Sequence, residues 1–300
     1  MPKENACIFL ISARKNLLKT CLSFLDKNYN NQFNYPILIF YHGTKYDDIN
    51  FRKSIESINP NTKYSFHKIK SEIPEHLKEE DMFWNLPNNG YAKKFGKERL
   101  GYLHAIYFFN NFMNFEELKN FDYMMRIDDD SWFKNKMNFD MFEELDKQNK
   151  LCGTAYSWNH VNKSILETRQ HLFDWIKNYV EKYNVIIKNK NLEKYLNQGQ
   201  KDKIDNIKCN KNFHSMKILS GNCNIYNRQM FETEEWTNFL EEYNKLGGGY
   251  RYRWGDNDLI SMFYYLHLGD NFMDLKLKKK NLYNNQIDNK WDCVFDKDLK

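Results

Sequence analysis

Phe121-Asp122-Tyr123-Met124-Met125-Arg126-Ile127-Asp128-Asp129-Asp130 is an apolar, strand-like run that stops abruptly in three consecutive acids. In an open α/β sheet ligands bind beyond the carboxyl ends of the strands, so acids at that point face the place where a substrate would sit. Adjacent carboxylates repel one another. A divalent cation relieves that repulsion, and hard oxygen ligands suit Mn²⁺ or Mg²⁺. In the D-x-D spacing, Asp128 and Asp130 share one side of an extended chain. They are the expected metal ligands, and an ion held there would neutralise a diphosphate leaving group. A solvated acidic turn would read the same from three letters, so the rest of the chain has to decide.

Working outward, Cys7-Ile8-Phe9-Leu10-Ile11 reads as a buried strand, followed by a turn and a helix carrying Leu17, Leu18, Cys21, Leu22 and Leu25. Pro36-Ile37-Leu38-Ile39-Phe40-Tyr41 is a second strand, so the chain opens with a βαβ unit whose parallel pair is covered by helices. Tyr64 to Ile69 reads as a third strand, Lys93 to Asn111 as a helix, and Leu151 to Tyr156 as another strand. A long amphipathic helix is expected from Ser164 to Tyr183. Residues 188–211, rich in Lys, Asn and Asp, suggest an exposed insertion. Short strands follow at Met216 to Leu219 and Cys223 to Tyr226. A helix from about Met230 to Lys245 ends at Gly247-Gly248-Gly249, and a final helix carries Leu259 to His267. The expectation is one α/β domain over residues 1–300, a mostly parallel sheet flanked by helices.

The 300 residues are 17% aromatic and contain only 12 Gly, which gives material for a large core and excludes disorder, collagen and coiled coil. The 45 basic and 40 acidic residues leave a net charge of +5, scattered along the chain, and nothing in that distribution calls for nucleic acid. Cys7, Cys21, Cys152, Cys209, Cys223 and Cys293 form no C-x-x-C pair and mostly sit among apolar neighbours, as reduced, buried thiols do. Neither a spanning segment nor a signal-peptide core is visible, so the chain as written reads as soluble and cytosolic.

Phe33-Asn34-Tyr35-Pro36, Gly101-Tyr102, Arg126-Ile127-Asp128-Asp129-Asp130 and Gly247-Gly248-Gly249-Tyr250-Arg251-Tyr252-Arg253-Trp254-Gly255-Asp256 recur in one order that resembles glycosyltransferase family 15, the yeast-type α-1,2-mannosyltransferases. The likeness runs from about Cys7 to Leu268. It implies a GT-A-like, Rossmann-type nucleotide-sugar-binding domain, a GDP-mannose donor, a glycan or glycoprotein acceptor, retention at the anomeric carbon, and usually Mn²⁺. Carried over by position, Arg14 and Arg126 would hold the nucleotide phosphates. Asp128 and Asp130 fall on the two acids of the family's R-V-E-P-D segment, and Asp129 falls in the donor site where the family has Pro. Tyr102 matches a tyrosine near the transferred sugar. Asp256 would cap a helix or touch the sugar, while Trp254 beside it offers an aromatic face of the kind that packs on sugar rings.

Two departures bear on mechanism. Asn224 stands where the family has the glutamate proposed as nucleophile, and an amide cannot readily form the covalent intermediate of a double displacement. The family's late metal histidine has no counterpart after His267; Lys278-Lys279-Lys280 lie near its place, and Lys280 would pair with the donor diphosphate. The rival readings are a transferase using a UDP-hexose and an inactive glycan-binding or structural module. A Golgi-type lumen, usual for the family, would require an anchor; a virus-like setting also fits a chain without one.

Overall fold

A computed structural model of the chain describes residues 5–70, 72–85, 96–155, 157–158, 169, 171–197, 218–219, 221–269, 272–275 and 282–284. The chain opens with β1 (Ala6–Ser12), α1 (Lys15–Asn28), β2 (Ile37–Tyr41), α2 (Ile49–Glu56) and β3 (Tyr64–Lys68). Next come α3 (Leu100–Asn111), β4 (Tyr123–Ile127), β5 (Ser131–Phe133), α4 (Met141–Lys147), β6 (Cys152–Thr154) and β7 (Ser157–Trp158). The remainder is α5 (Leu172–Tyr183), α6 (Lys190–Asn197), β8 (Ile218–Leu219), β9 (Cys223–Asn227), α7 (Glu234–Leu246), α8 (Gly248–Arg251), α9 (Asp256–Phe263) running into a π-helical turn (Tyr264–Leu268), β10 (Met273–Asp274) and β11 (Leu282–Asn284).

The central sheet has seven strands in the order β10-β6-β9-β4-β1-β2-β3. Its neighbours are parallel except at β9, which runs antiparallel to both β4 and β6. Every residue of β1, β2 and β4 is buried, as continuous apolar runs require in a sheet covered on both faces. The period-two alternation then sorts their side chains. Cys7, Phe9, Leu38, Phe40 and Met124 pack into the core that includes α5, α7 and α9. Ile8, Leu10, Ile37, Ile39, Met125 and Ile127 pack into the core that includes α1 and α4. A sheet of this order brings the ends of β1 and β4 side by side, and it carries Arg14 and the three acids to one edge.

The helix ends follow ordinary capping chemistry. Asp48 accepts from the backbone amides of Asn50 and Phe51 at the start of α2, and Thr233 accepts from that of Trp236 at the start of α7. Gly247 closes α7 in the left-handed region at φ 72°. The glycines that follow do not simply end the helix, because they continue as α8. A side chain at Gly248 would overlap the Trp254 ring, and one at Gly249 would meet the Tyr243 hydroxyl.

Three further expectations are revised. The region 188–211 does not begin as exposed chain: α6 buries Leu192, Tyr195 and Leu196, while 198–211 lie outside the described residues. The helix expected from Ser164 starts, within the described residues, at Leu172, behind His171 at φ 63°. Asp256 is the first residue of α9, with Gly255 in the capping position. Cys7, Cys21, Cys152 and Cys223 are free and buried, and burial raises all four thiols, Cys223 to about 12. Cys209 and Cys293 lie outside the described residues. No helix among the described residues is long and apolar enough to cross a membrane.

Candidate active site

Two arginines organise the carboxyl edge of the sheet. Arg126, the fourth residue of β4, points to the α3 side, where its guanidinium lies 3.3 Å from the centroid of Phe109. It forms a buried ion pair with Asp256 and donates to Oδ1 of Asp128 at 3.0 Å from Nη2. Both contacts of Asp128 with Arg126 fall on that one oxygen. The Asp128 amide donates to the Asn222 carbonyl at 3.0 Å, which ties the end of β4 to the loop entering β9. That loop in turn needs Gly221, since a side chain there would overlap the Asn257 amide in the first turn of α9. β4, β9 and α9 are thereby fixed against each other around Arg126.

Arg14 organises the other flank, just past β1. It donates to both carboxylate oxygens of Asp129 and lies 3.2 Å from Asp130 Oδ2. Burial opposes the charge of Arg14, but Asp129 and Asp130 outweigh it and hold the guanidinium's pKa above its ordinary value. Asp129 is also held from below: Ser12 Oγ donates to its Oδ2 at 2.6 Å, and the Ser12 and Tyr46 hydroxyls are 2.7 Å apart. The Arg14 side chain remains 44% exposed, so it reaches open space from a buried anchor.

Asn224 of β9 is the register partner of Arg126 on one side and of Thr154 on the other. Its Nδ2 donates to the Tyr226 hydroxyl at 3.0 Å, while its buried Oδ1 has no hydrogen-bond partner among the described residues. Tyr102, near the start of α3, lies under the Arg253 guanidinium, 4.8 Å from ring centroid to Cζ. Arg253 adopts φ 61°, a left-handed conformation unusual for a residue with a Cβ.

The expected residues thus meet in part. Arg14 with Asp129 and Asp130, and Arg126 with Asp128 and Asp256, form two ion-paired groups that meet along Asp128-Asp129-Asp130, with Asn224 beside Arg126 in the sheet and Tyr102 reaching Arg253 from α3. Trp254 does not face a sugar: it is fully buried, stacked on Tyr252 at 5.1 Å between ring centroids and packed against Trp175. Arg126, expected on the phosphates, is buried between two carboxylates, and Asp129 is buried with both oxygens engaged. Lys280 lies outside the described residues. The letters gave no signal for Ser12, Tyr46 or Phe109; Arg253 sits in the quoted R-W-G-D motif, but its backbone conformation is not written there.

The donor set can be tested for a divalent cation. Asp128, Asp129, Asp130 and Asp256 bring four carboxylates to two guanidiniums, an excess of negative charge in a largely buried place. Burial, with repulsion from Asp130 and Asp256, pushes the Asp128 carboxyl up to about 7 against the pull of Arg126. Burial also raises Asp130. Among the described residues no group of three or more His, Cys, Asp or Glu is arranged to hold a metal. Mg²⁺-type sites commonly use one or two carboxylates plus substrate phosphates, so Asp128 and Asp130 fit a cation that arrives with a diphosphate.

Acids and an arginine gathered at the carboxyl edge of a mixed sheet fit a glycosyltransferase of GT-A-like fold. Residues 1–286 match the family model described as glycolipid 2-alpha-mannosyltransferase, and the chain belongs to that family, glycosyltransferase family 15. A relative described as probable mannosyltransferase MNT3 of Candida albicans is 23% identical over 277 residues, which is 87% of this chain and 65% of the relative. The chain therefore spans about two thirds of that curated relative's length. Among solved structures, the mannosyltransferase Ktr4p of S. cerevisiae superposes with a TM-score of 0.72 at 18% identity, covering 90% of this chain and 68% of the other. Core-mannan synthase A (CmsA/Ktr4) of Aspergillus fumigatus, in an Mn/GDP form, gives 0.70 at 17% identity, covering 88% and 70%. These likenesses establish the fold.

Proposed function

We propose that the chain is a retaining mannosyltransferase that moves mannose from GDP-mannose to a sugar hydroxyl of a glycan or glycoprotein. The observation that carries the reading is the cluster around Arg126, in which Asp128 and Asp256 hold one buried guanidinium opposite Asn224 in the sheet register, while Arg14 reaches out beside Asp130. The Mn/GDP form of CmsA/Ktr4 and a GDP complex of Ktr4p support the choice of donor. Arg14, anchored by Asp129, pairs with diphosphate oxygens through its exposed edge. Asp128 and Asp130 would hold Mn²⁺ or Mg²⁺, which when bound neutralises charge on the diphosphate.

Asn224 decides the route to retention. Its amide can accept a hydrogen bond through Oδ1 but does not supply a carboxylate to form a glycosyl ester. In the front-face route the bond from the anomeric carbon to the diphosphate oxygen breaks as the acceptor oxygen bonds to the same face. The acceptor's hydroxyl proton passes to the departing diphosphate oxygen. Arg126, fixed by two carboxylates, ties β4 to the start of α9 beneath that exchange.

Asn224 also favours the second reading, an inactive glycan-binding module that kept the fold and lost the nucleophile. Nucleotide release from GDP-mannose, with methyl α-mannoside as acceptor and with or without Mn²⁺, separates the two. Release of GDP with formation of a disaccharide supports transfer. Release from UDP-glucose instead changes the donor, and glycan binding without release of any nucleotide overturns the transferase reading.

A further inference from the structure

We propose that Arg253 is a positioning residue for the transfer step: its guanidinium holds the Tyr102 ring at the carboxyl edge of the sheet, where that ring meets the donor's sugar. The inference rests on the mannosyl-transfer reading.

The direction of α3 places Tyr102. Phe109 lies against the Arg126 guanidinium, and Phe112, just past the end of the helix, is 5.4 Å from Tyr226 between ring centroids. Tyr226 is the register partner of Met124, two residues before Arg126 in β4. The helix therefore runs from the carboxyl edge of the sheet toward the amino edge. Tyr102, seven residues before Phe109, shares its face and lies roughly 10 Å further out, beyond the end of β4 where Asp128, Asp129 and Asp130 follow. Arg253 reaches it there, with Cζ 4.8 Å from the ring centroid. Three residues on, Asp256 pairs with Arg126, so one short segment grips α3 and β4 at the same edge.

Backbone strain is the second observation. At φ 61° the Cβ of Arg253 crowds the backbone, in a conformation that glycine adopts freely. The flanks enforce it. Tyr252 and Trp254 stack at 5.1 Å, the Trp254 amide donates to the Gly248 carbonyl at 3.2 Å, and the Tyr243 hydroxyl donates to the Trp254 carbonyl at 2.9 Å. Glycine stands close by at 247, 248, 249 and 255, yet position 253 carries a long cationic side chain. Strain of this kind persists where the surroundings over-determine it, and it clusters at active sites and ligand clamps. What the arginine adds is a planar cation on the ring of Tyr102, attracted by the ring's negative face. That contact fixes the plane of the ring and hence the direction of its hydroxyl.

Steady-state kinetics on the full chain with GDP-mannose, methyl α-mannoside and Mn²⁺ tests this, beside GDP calorimetry and thermal unfolding. Arg253→Gly suits the backbone and is expected to keep a thermal midpoint close to that of the wild type. Its kcat should fall about tenfold while GDP affinity stays within about twofold. Arg253→Lys keeps a cation for the ring and should recover part of the lost kcat. In a Tyr102→Leu background, itself slow, Arg253→Gly should cost little more, because residues that act as a unit do not lose activity additively. Arg253→Asn also tolerates the left-handed region and reads the same split should the glycine variant fail to fold. A wild-type kcat in the folded variants, or losses at 102 and 253 that simply multiply, overturns the proposal. So does a loss confined to GDP affinity, which would make Arg253 a phosphate ligand. A wild type that releases no GDP removes the transfer reading and the proposal with it, whereas a wild type that transfers beside unimpaired variants removes the proposal alone.

Discussion

Arg126 and Asp256 lie 130 residues apart and meet as a buried ion pair, with Asp128 on the other edge of the same guanidinium. The pair joins the central strand to the helix that ends the glycine-rich segment. Removing one partner leaves the other charge buried and uncompensated, which typically costs about 3–5 kcal/mol. Asp256→Ala is therefore expected to lower stability by that order in urea unfolding, with Asp256→Asn falling between it and the wild type. An Asp256→Ala variant that unfolds at the wild-type midpoint would show that the pair does not brace β4 against α9.

The pH dependence follows from Asp128. Its carboxyl is raised to about 7 by burial and by Asp130 and Asp256, whereas an unfolded aspartate titrates near 3.9. Between those values the folded chain binds the extra proton, so stability falls as pH rises from about 4 to about 7. A cation competes with that proton. The thermal midpoint without metal should drop between about pH 5 and pH 8, and Mn²⁺ with GDP should raise it more at pH 8 than at pH 6. Asp128→Asn should flatten both trends in differential scanning fluorimetry.

Asp129 engages Arg14 through both of its oxygens and is itself held by Ser12. Asp129→Ala leaves the half-exposed guanidinium with only its contact to Asp130. Charge-assisted hydrogen bonds of this kind contribute about 1.5–3 kcal/mol, so GDP affinity is expected to fall by about tenfold or more, measured by titration calorimetry. Affinity equal to the wild type would mean that Arg14 needs no anchor.

Gly248 lies against Trp254 so closely that a methyl group there would overlap the indole. Gly248→Ala should cost about 1–3 kcal/mol, the range for overpacking a filled core. In a Trp254→Ala background, itself less stable, the same glycine substitution should cost much less, read as a double-mutant cycle in denaturant titration, because the contested space is empty.

Asn224 gives a mechanistic test. No hexose should become attached to it during turnover, and mass spectrometry of the quenched enzyme should find the peptide covering 221–227 at its unmodified mass. A mannosyl adduct on that peptide would refute the front-face route.

The strand ending in Asp128-Asp129-Asp130 was readable because a continuous apolar run followed by acids has few other homes in an α/β fold. The same letters could not show that Arg126 would be consumed by carboxylates, since Asp256 arrives through tertiary packing from far along the chain. Trp254 is ambiguous in the letters for a related reason: an aromatic ring after glycines looks alike whether it faces a sugar or a core, and its fit against Gly248 places it in the core. Leu192, Tyr195 and Leu196 were overlooked within a lysine- and asparagine-rich stretch because three apolar residues on one helical face are diluted by five polar ones around them. Lys280 belongs to a stretch outside the described residues, and its pairing with diphosphate remains an expectation.

Burial of Cys7, Cys21, Cys152 and Cys223 has a consequence for where such a fold can operate. Each thiol is kept protonated inside packed apolar surroundings, away from oxidants that act on exposed thiolates. The described domain therefore needs neither an oxidising compartment to staple it nor a reducing one to keep it intact. Among the described residues, the covalent structure would be the same in a secretory lumen and in the cytosol.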